Sequence, residues 1–260
     1  MLKSKYQAKK VSADGYADFT AEENGTWQIL YKRQLEIIQN RACQEFIAGV
    51  EKLAMSADRV PQVAEITKSL QAATGWSVVP VPALIDVNEF FTLLANQQFP
   101  AATFIRRREE LDYLEEPDLF HEYFGHCPLL TNQAYADFMR WYGEFALKSN
   151  EAERNLLARL FWFTIEFGLL KTKEGMRIFG GGILSSKNET VYAVESTIPE
   201  RKAFVLADVL RTPYRIDIMQ PIYFYLNNFA ELYALIQTDL VSEVKKAAAK
   251  GDFVPAFMTC

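Results

Sequence analysis

The apolar positions of the chain fall mostly at helical spacing. Between residues 26 and 55, Trp27, Leu30, Tyr31, Leu35, Ile38, Phe46, Val50 and Leu53 predict one or two amphipathic helices. Pro61 opens a segment in which Val63, Ile66 and Leu70 share a face that closes near Gly75. Residues 76–82, rich in Val and Pro, read as extended. Residues 86–96 read as a helix capped by Asp86 or Asn88, and residues 99–106 as a loosely alternating strand. A helix is expected over residues 119–125, favoured by Pro117 at its start and limited by Pro128. Residues 132–148 and 151–170 follow as two more helices. Residues 175–192, around Gly180-Gly181-Gly182, read as a turn or hairpin. Residues 199–210 and 221–249 read as helical, with an extended piece at 212–219. Residues 1–25 are polar without a sustained period and read as an irregular arm. No repeat or Pro-, Gly- or Ser-rich linker divides the rest, so residues 26–260 are expected to form one compact domain, mainly α with a few short β-strands.

Composition narrows the class. Half of the 260 residues are apolar and 23% are charged, enough to bury a core and unlike a disordered chain. The net charge of −5 lacks the clustered Lys and Arg of a nucleic-acid binder. No apolar run is long enough to cross a bilayer, and no apolar stretch follows the basic start MLKSKYQAKK as a secretory signal requires. Cys43, Cys127 and Cys260 are odd in number and far apart, so a disulfide framework is not expected and a reducing cytoplasm is.

The two histidines of the chain, His121 and His126, share one short stretch, PDLFHEYFGHCP, at residues 117–128. A zinc-protease pair sits at i and i+4. Here the spacing is i and i+5, about 140° out of phase on a straight helix. Both imidazoles can meet one ion if Gly125 lets the helix distort, or end, before His126. Residues 156–170 are almost continuously apolar around Glu166, whose buried charge would need a cation or a metal. Two histidines and one carboxylate with open positions are the ligand set of non-haem Fe(II) oxygenases. The same residues also fit plainer roles. The histidines can be ordinary hydrogen-bonding groups, and Glu166 can pair with Arg159 or with the Arg106-Arg107-Arg108 run, itself readable as a solvated patch. Phe161-Trp162-Phe163 can be core, and Cys127 a zinc ligand or a small packed side chain. A zinc hydrolase and a non-catalytic helical binding domain therefore stay open on spacing alone.

The array Pro117-Asp118-x-x-His121-Glu122-x-x-Gly125-His126-x-Pro128, followed by Trp162-Phe163-Thr164-Ile165-Glu166-Phe167-Gly168-Leu169, resembles the catalytic domain of the pterin-dependent aromatic amino acid hydroxylases, bacterial members most of all. The resemblance runs from about residue 26 to residue 240 and includes residues 180–186 and Gln220-Pro221-Ile222-Tyr223. It implies Fe(II) held by His121, His126 and Glu166. It places Arg106 on the substrate carboxylate, for which a guanidinium fork is suited, with Asp118 holding that arginine. Trp162, Gly182 and Ser185 resemble the walls around the substrate. A tetrahydropterin, tetrahydrobiopterin or a relative, is expected to stack on Phe90 and to bond the backbone around Ile85 and Val87. Glu122 would face it near the iron as a catalytic orienting group, with Ala158 close by.

The implied reaction is hydroxylation of L-phenylalanine to L-tyrosine with O2 through an Fe(IV)-oxo species, tryptophan being the second substrate candidate. The implied partners are small molecules, not nucleic acid or membrane, and the expected assembly is a monomer or a small homo-oligomer. Val87, Phe161 and Leu114 depart from a serine, a tyrosine and a threonine found in other members, and Ile216 stands where tyrosine hydroxylases place an aspartate. The regulatory domain and tetramerisation helix of animal members are not expected in this chain.

Overall fold

Helix α1 (Ala21–Ile37) starts inside the stretch expected to be irregular. The Thr20 hydroxyl accepts from the Glu23 N–H at 3.2 Å, and the Glu23 carboxylate accepts from the Thr20 N–H at 2.7 Å. This reciprocal cap starts the helix before any apolar period is visible, so the arm ends at Thr20 rather than at residue 25. A computed structural model describes residues 6–257 apart from Leu84 and Glu115. Residues 1–5 of the predicted arm and Cys260 lie outside the described residues.

Helices α2 (Gln44–Leu53) and α3 (Val63–Thr74) follow, the latter closed by Gly75 at φ 81°. Strand β1 (Ser77–Val81), helix α4 (Val87–Ala95) and strand β2 (Gln98–Ala102) come next, with β1 and β2 paired in parallel from Ser77 opposite Gln98. Asp86 caps α4 by accepting from Asn88 and Glu89, as the sequence predicts. After the segment that carries the histidines come α5 (Cys127–Leu130), α6 (Gln133–Lys148), capped by Asn132, and α7 (Glu151–Phe161).

The second half departs from the periodicity reading. The expected helix at 151–170 stops at Glu166, and β3 (Leu169–Thr172) turns back into β4 (Gly175–Ile178) as an antiparallel hairpin. Most of the expected turn or hairpin at 175–192 is instead helical beyond residue 180: α8 (Gly181–Leu184) and α9 (Lys187–Glu195). Strand β5 (Glu200–Ala203) precedes α10 (Leu206–Arg211), and residues 212–219 form no strand. Strand β6 (Ile222–Leu226) then precedes α11 (Ala230–Ile236) and α12 (Leu240–Lys250). The sheet order is β4-β3-β6-β5. A short apolar run satisfies either period, and β-branched and aromatic residues such as Ile222-Tyr223-Phe224-Tyr225 pack better on a pleated surface. Parallel partners on both sides of β6, residues 200–203 and 169–170, decide the matter.

One contiguous core runs from Trp27 to Ala247 and includes the fully buried Phe46, Trp76, Phe124, Tyr135, Phe163 and Tyr223. Gly49 of α2 lies so close to α5 that a Cβ there would collide with the Pro128 carbonyl. Since α5 follows His126 directly, this crossing fixes one end of the histidine segment. Gly49→Ala should therefore destabilise the protein by about 1–3 kcal/mol by overpacking, measured as a lower urea midpoint with an unchanged m-value.

Candidate active site

His121 to His126 form a π-helical turn in which the Cys127 N–H reaches the carbonyl of Glu122, five residues back. Such a turn is wider than an α turn, so position i+5 comes round to position i. The two imidazoles consequently meet, Nε2 to Nε2, at 3.0 Å. The expected stop at Pro128 does not occur: the chain continues as α5, with Pro128 in its first turn, where a missing N–H costs nothing. A second π turn, Trp162–Glu166, ends α7 with a 2.8 Å bond from the Phe167 N–H to the Trp162 carbonyl. It sets Glu166 Oε1 3.3 Å from His126 Nε2 and Oε2 3.7 Å from His121 Nε2. Arg159, a sequence-level candidate partner of Glu166, instead pairs with Asp252 through two 2.7 Å bonds.

The electrostatics of this cluster suit a cation. Burial pushes His121 down to about 4, whereas at His126 the Glu166 carboxylate outweighs burial and holds the pKa above the ordinary histidine value. Two imidazoles in contact do not both charge, and the one in contact with the carboxylate takes the proton. Glu166 is half-buried, which raises its pKa, yet the neighbouring histidines bring it down to about 2. The Ser185 hydroxyl donates to the Gly181 carbonyl at 2.9 Å and stands 2.9 Å from His121 Nδ1. With its one proton committed, Ser185 accepts from Nδ1–H, so His121 Nε2 presents a bare lone pair. Ligands about 2.1 Å from a metal lie roughly 3.0–3.4 Å apart at angles of 90–109°. The observed spacings of 3.0, 3.3 and 3.7 Å match that closely enough for one ion to be held.

Gly180-Gly181-Gly182 is the surface against which these groups press. A Cβ on Gly181 would stand 2.5 Å from the His126 ring, one on Gly182 would stand 2.9 Å from Glu166 Oε2, and one on Gly180 would collide with the Glu166 carbonyl.

A cavity of about 490 Å³ opens beside the cluster and is lined by His121 and Glu166 together with Arg106, Trp162, Gly182 and Ser185. Arg106 is not part of a solvated patch. It is buried, and its Nε and Nη2 bond the Asp118 carboxylate at 2.9 and 2.8 Å. Asp118 also accepts from the backbone N–H groups of Arg106 and His121. Burial alone would raise the Asp118 pKa, but the Arg106 charge and these bonds hold it below the ordinary value of 3.8. Trp162 lies between two nearly parallel rings, Phe167 at 4.3 Å and Tyr214 at 4.5 Å, and its indole N–H bonds Gln220. Leu114 and Ile216 border the cavity as well.

The aromatic amino acid hydroxylase pattern covers nearly all of the chain. The family model described as biopterin-dependent aromatic amino acid hydroxylase matches residues 4–248. The chain belongs to that family. The phenylalanine-4-hydroxylase of Pseudomonas aeruginosa is 51% identical over 99% of this chain and 98% of its own. The structure of phenylalanine hydroxylase from Legionella pneumophila matches with a TM-score of 0.95 at 48% identity, covering 97% of this chain and 100% of that one. The Chromobacterium violaceum enzyme, solved with bound oxidized Fe(III), matches at a TM-score of 0.90 and 41% identity, over 96% of this chain and 94% of that one.

Within this hydroxylase the residues expected at the pterin stand apart from the cavity just described. Phe90 sits on α4 with its ring 5.8 Å from Phe161, and the Arg154 guanidinium bonds Asn88, tying α7 to the same end of α4. Ile85 and Val87 flank that end, and Ala158 lies on α7 one turn before Phe161. None of the four is among the described residues that line the cavity. Glu122 sits in the π turn between His121 and His126, and burial pushes it up to about 8. Phe167, Tyr214, Glu189 and Gln220 were missed by the sequence reading. Gln220 and Phe167 carry a signal only as members of the Gln220-Pro221 and Trp162–Leu169 motifs, and Tyr214 and Glu189 carry none.

Three outcomes are expected of this hydroxylase. Asp118→Asn should cost about 3–5 kcal/mol, because it leaves Arg106 buried without its counter-charge. Since the folded Asp118 pKa lies below 3.8, its contribution is complete above that value and is lost as pH falls through the lower folded value. Urea titrations at several pH values should show the gap between wild type and variant closing only in acid. Ser185→Ala should weaken metal binding roughly 10–100-fold by freeing the His121 ring, read by competition with a chelator. Metal affinity of the wild type should itself fall with pH as His126 takes up its proton.

Proposed function

We propose that this chain hydroxylates L-phenylalanine to L-tyrosine, using O2, a tetrahydropterin such as tetrahydrobiopterin, and Fe(II) held by His121, His126 and Glu166. The observation that carries the reading is the convergence of two imidazoles and a carboxylate beside a cavity that His121 and Glu166 line together with Arg106. Bound together, the metal and the reduced pterin supply the activation of dioxygen.

The chain supplies position and environment. Asp118 occupies Nε and Nη2 of Arg106, which aims the remaining Nη1 edge at the substrate carboxylate. Trp162 walls the substrate ring and excludes water, and Gly182 and Ser185 face its backbone end. Ile216 offers an unsubstituted ring an apolar neighbour, whereas a phenol would favour a polar one. Asp217 beside it is committed to Arg215 through bonds of 3.0 and 2.6 Å. Glu122, carrying its proton near neutral pH, orients the pterin by donating a hydrogen bond. Phe90, backed by Phe161, stacks on the pterin, Ile85 and Val87 bond it through their backbone, and Ala158 leaves room for it.

The chain after its arm acts as one catalytic unit, a reading supported by its single continuous core. Among the described residues no helix is long and apolar enough to cross a membrane. Cys43 and Cys127 are free and buried, which suits a reducing cytoplasm.

The direct test is product analysis after incubation with Fe(II), a tetrahydropterin and each of phenylalanine, tryptophan and tyrosine. Tyrosine from phenylalanine is expected as the main product. Glu166→Ala should abolish the product and the bound iron while circular dichroism stays unchanged; full turnover by that variant would refute the metal assignment. Arg106→Lys should raise KM for phenylalanine about tenfold, because an ammonium cannot copy the fork.

A further inference from the structure

A buried hydrogen-bond hub behind the cavity wall has no part in the roles above. Gln220 is 1% exposed, and both ends of its amide are engaged. Its Nε2 donates to the carbonyls of Arg215 and Ile218, both at 2.9 Å, and its Oε1 accepts the Trp162 indole N–H at 3.1 Å. An indole only donates and a carbonyl only accepts, so the orientation of the amide is fixed. Beside it Glu189, buried on α9 and bordering the cavity, accepts the Gln220 backbone N–H at 3.1 Å and the Tyr223 hydroxyl of β6. The amide thus joins two parts of the cavity that are far apart in sequence. One is the ring at the end of α7, in the π turn that carries Glu166. The other is the irregular loop 215–219, whose Ile216 and Met219 border the cavity and are exposed.

We propose that Gln220 is a positioning residue for the substrate ring: its amide sets the spacing between Trp162 and the Ile216 loop and so governs which aromatic ring is accepted. The inference rests on the hydroxylase reading above. Two donors and one acceptor are needed at this point. An ionised carboxylate offers no donor, and a thioether of similar length offers essentially none of the three.

The test compares iron-loaded wild type, Gln220→Met and Gln220→Glu with phenylalanine and with tryptophan, in the presence of a tetrahydropterin. KM for phenylalanine should rise about tenfold as the indole N–H and two carbonyls lose their partner. Product formed per pterin oxidised should fall, and the preference for phenylalanine over tryptophan in kcat/KM should narrow. A merely structural role would lower Tm and the yield of active enzyme but leave KM, coupling and preference where they were. Trp162→Phe breaks the same link from the other end, and because Trp162 also walls the ring it serves as the second arm of a cycle: added to Gln220→Met it should shift the three readouts little further, whereas independent roles would give additive shifts. Folded variants whose KM, coupling and preference stay within about twofold of wild type would overturn the role of Gln220. A wild type that hydroxylates no aromatic amino acid would instead overturn the hydroxylase reading itself.

Discussion

Two imidazole nitrogens held 3.0 Å apart, with a carboxylate 3.3 Å from one of them, set the terms for everything around them. Such donors are desolvated and mutually repulsive unless a positive charge lies among them, so the surrounding structure must hold them in place with the ion bound or not. Two π turns supply the geometry and a triple glycine supplies the closeness. Each π turn gives up regular helical hydrogen bonding at the point where a side chain must be re-aimed. The glycines replace side-chain packing by backbone contact against His126 and Glu166.

Asp118 extends that constraint to the other end of the cavity. One oxygen accepts the His121 N–H and an Arg106 guanidinium N–H, while the other accepts the Arg106 backbone N–H and its Nε. A single buried carboxylate therefore fixes the distance between the Arg106 guanidinium and the turn that carries the two histidines. Geometry of this kind is rigid because each of its bonds is charge-assisted and shielded from water.

Much of the chemistry was legible in the residues themselves. A glutamate in an apolar run is a costly pattern that calls for a positive partner, and histidines five apart near a glycine mark a place where a distorted turn can bring two imidazoles together. The helices with capping residues, such as α3 and α4, were legible because local backbone bonding specifies them. Strands β3, β5 and β6 were not, because four or five residues are too few to tell one period from the other and their partners lie elsewhere in the chain. The role of Gln220 as a hub was not legible from its motif, for a related reason. A glutamine has no charge or metal affinity to betray it, and its meaning comes from Trp162, Arg215 and Ile218, which only the fold brings near.

The sandwich of Phe167, Trp162 and Tyr214 has a bearing on the orientation of a guest. Rings centred 4.3 and 4.5 Å from the indole and nearly parallel to it do not fit side by side on one face, so they take opposite faces. The indole then shows the cavity only its rim, which is the electropositive part of an aromatic ring. An arene entering the cavity would find its electron-rich face complementary to that rim, a T-shaped contact that would favour one tilt about its long axis.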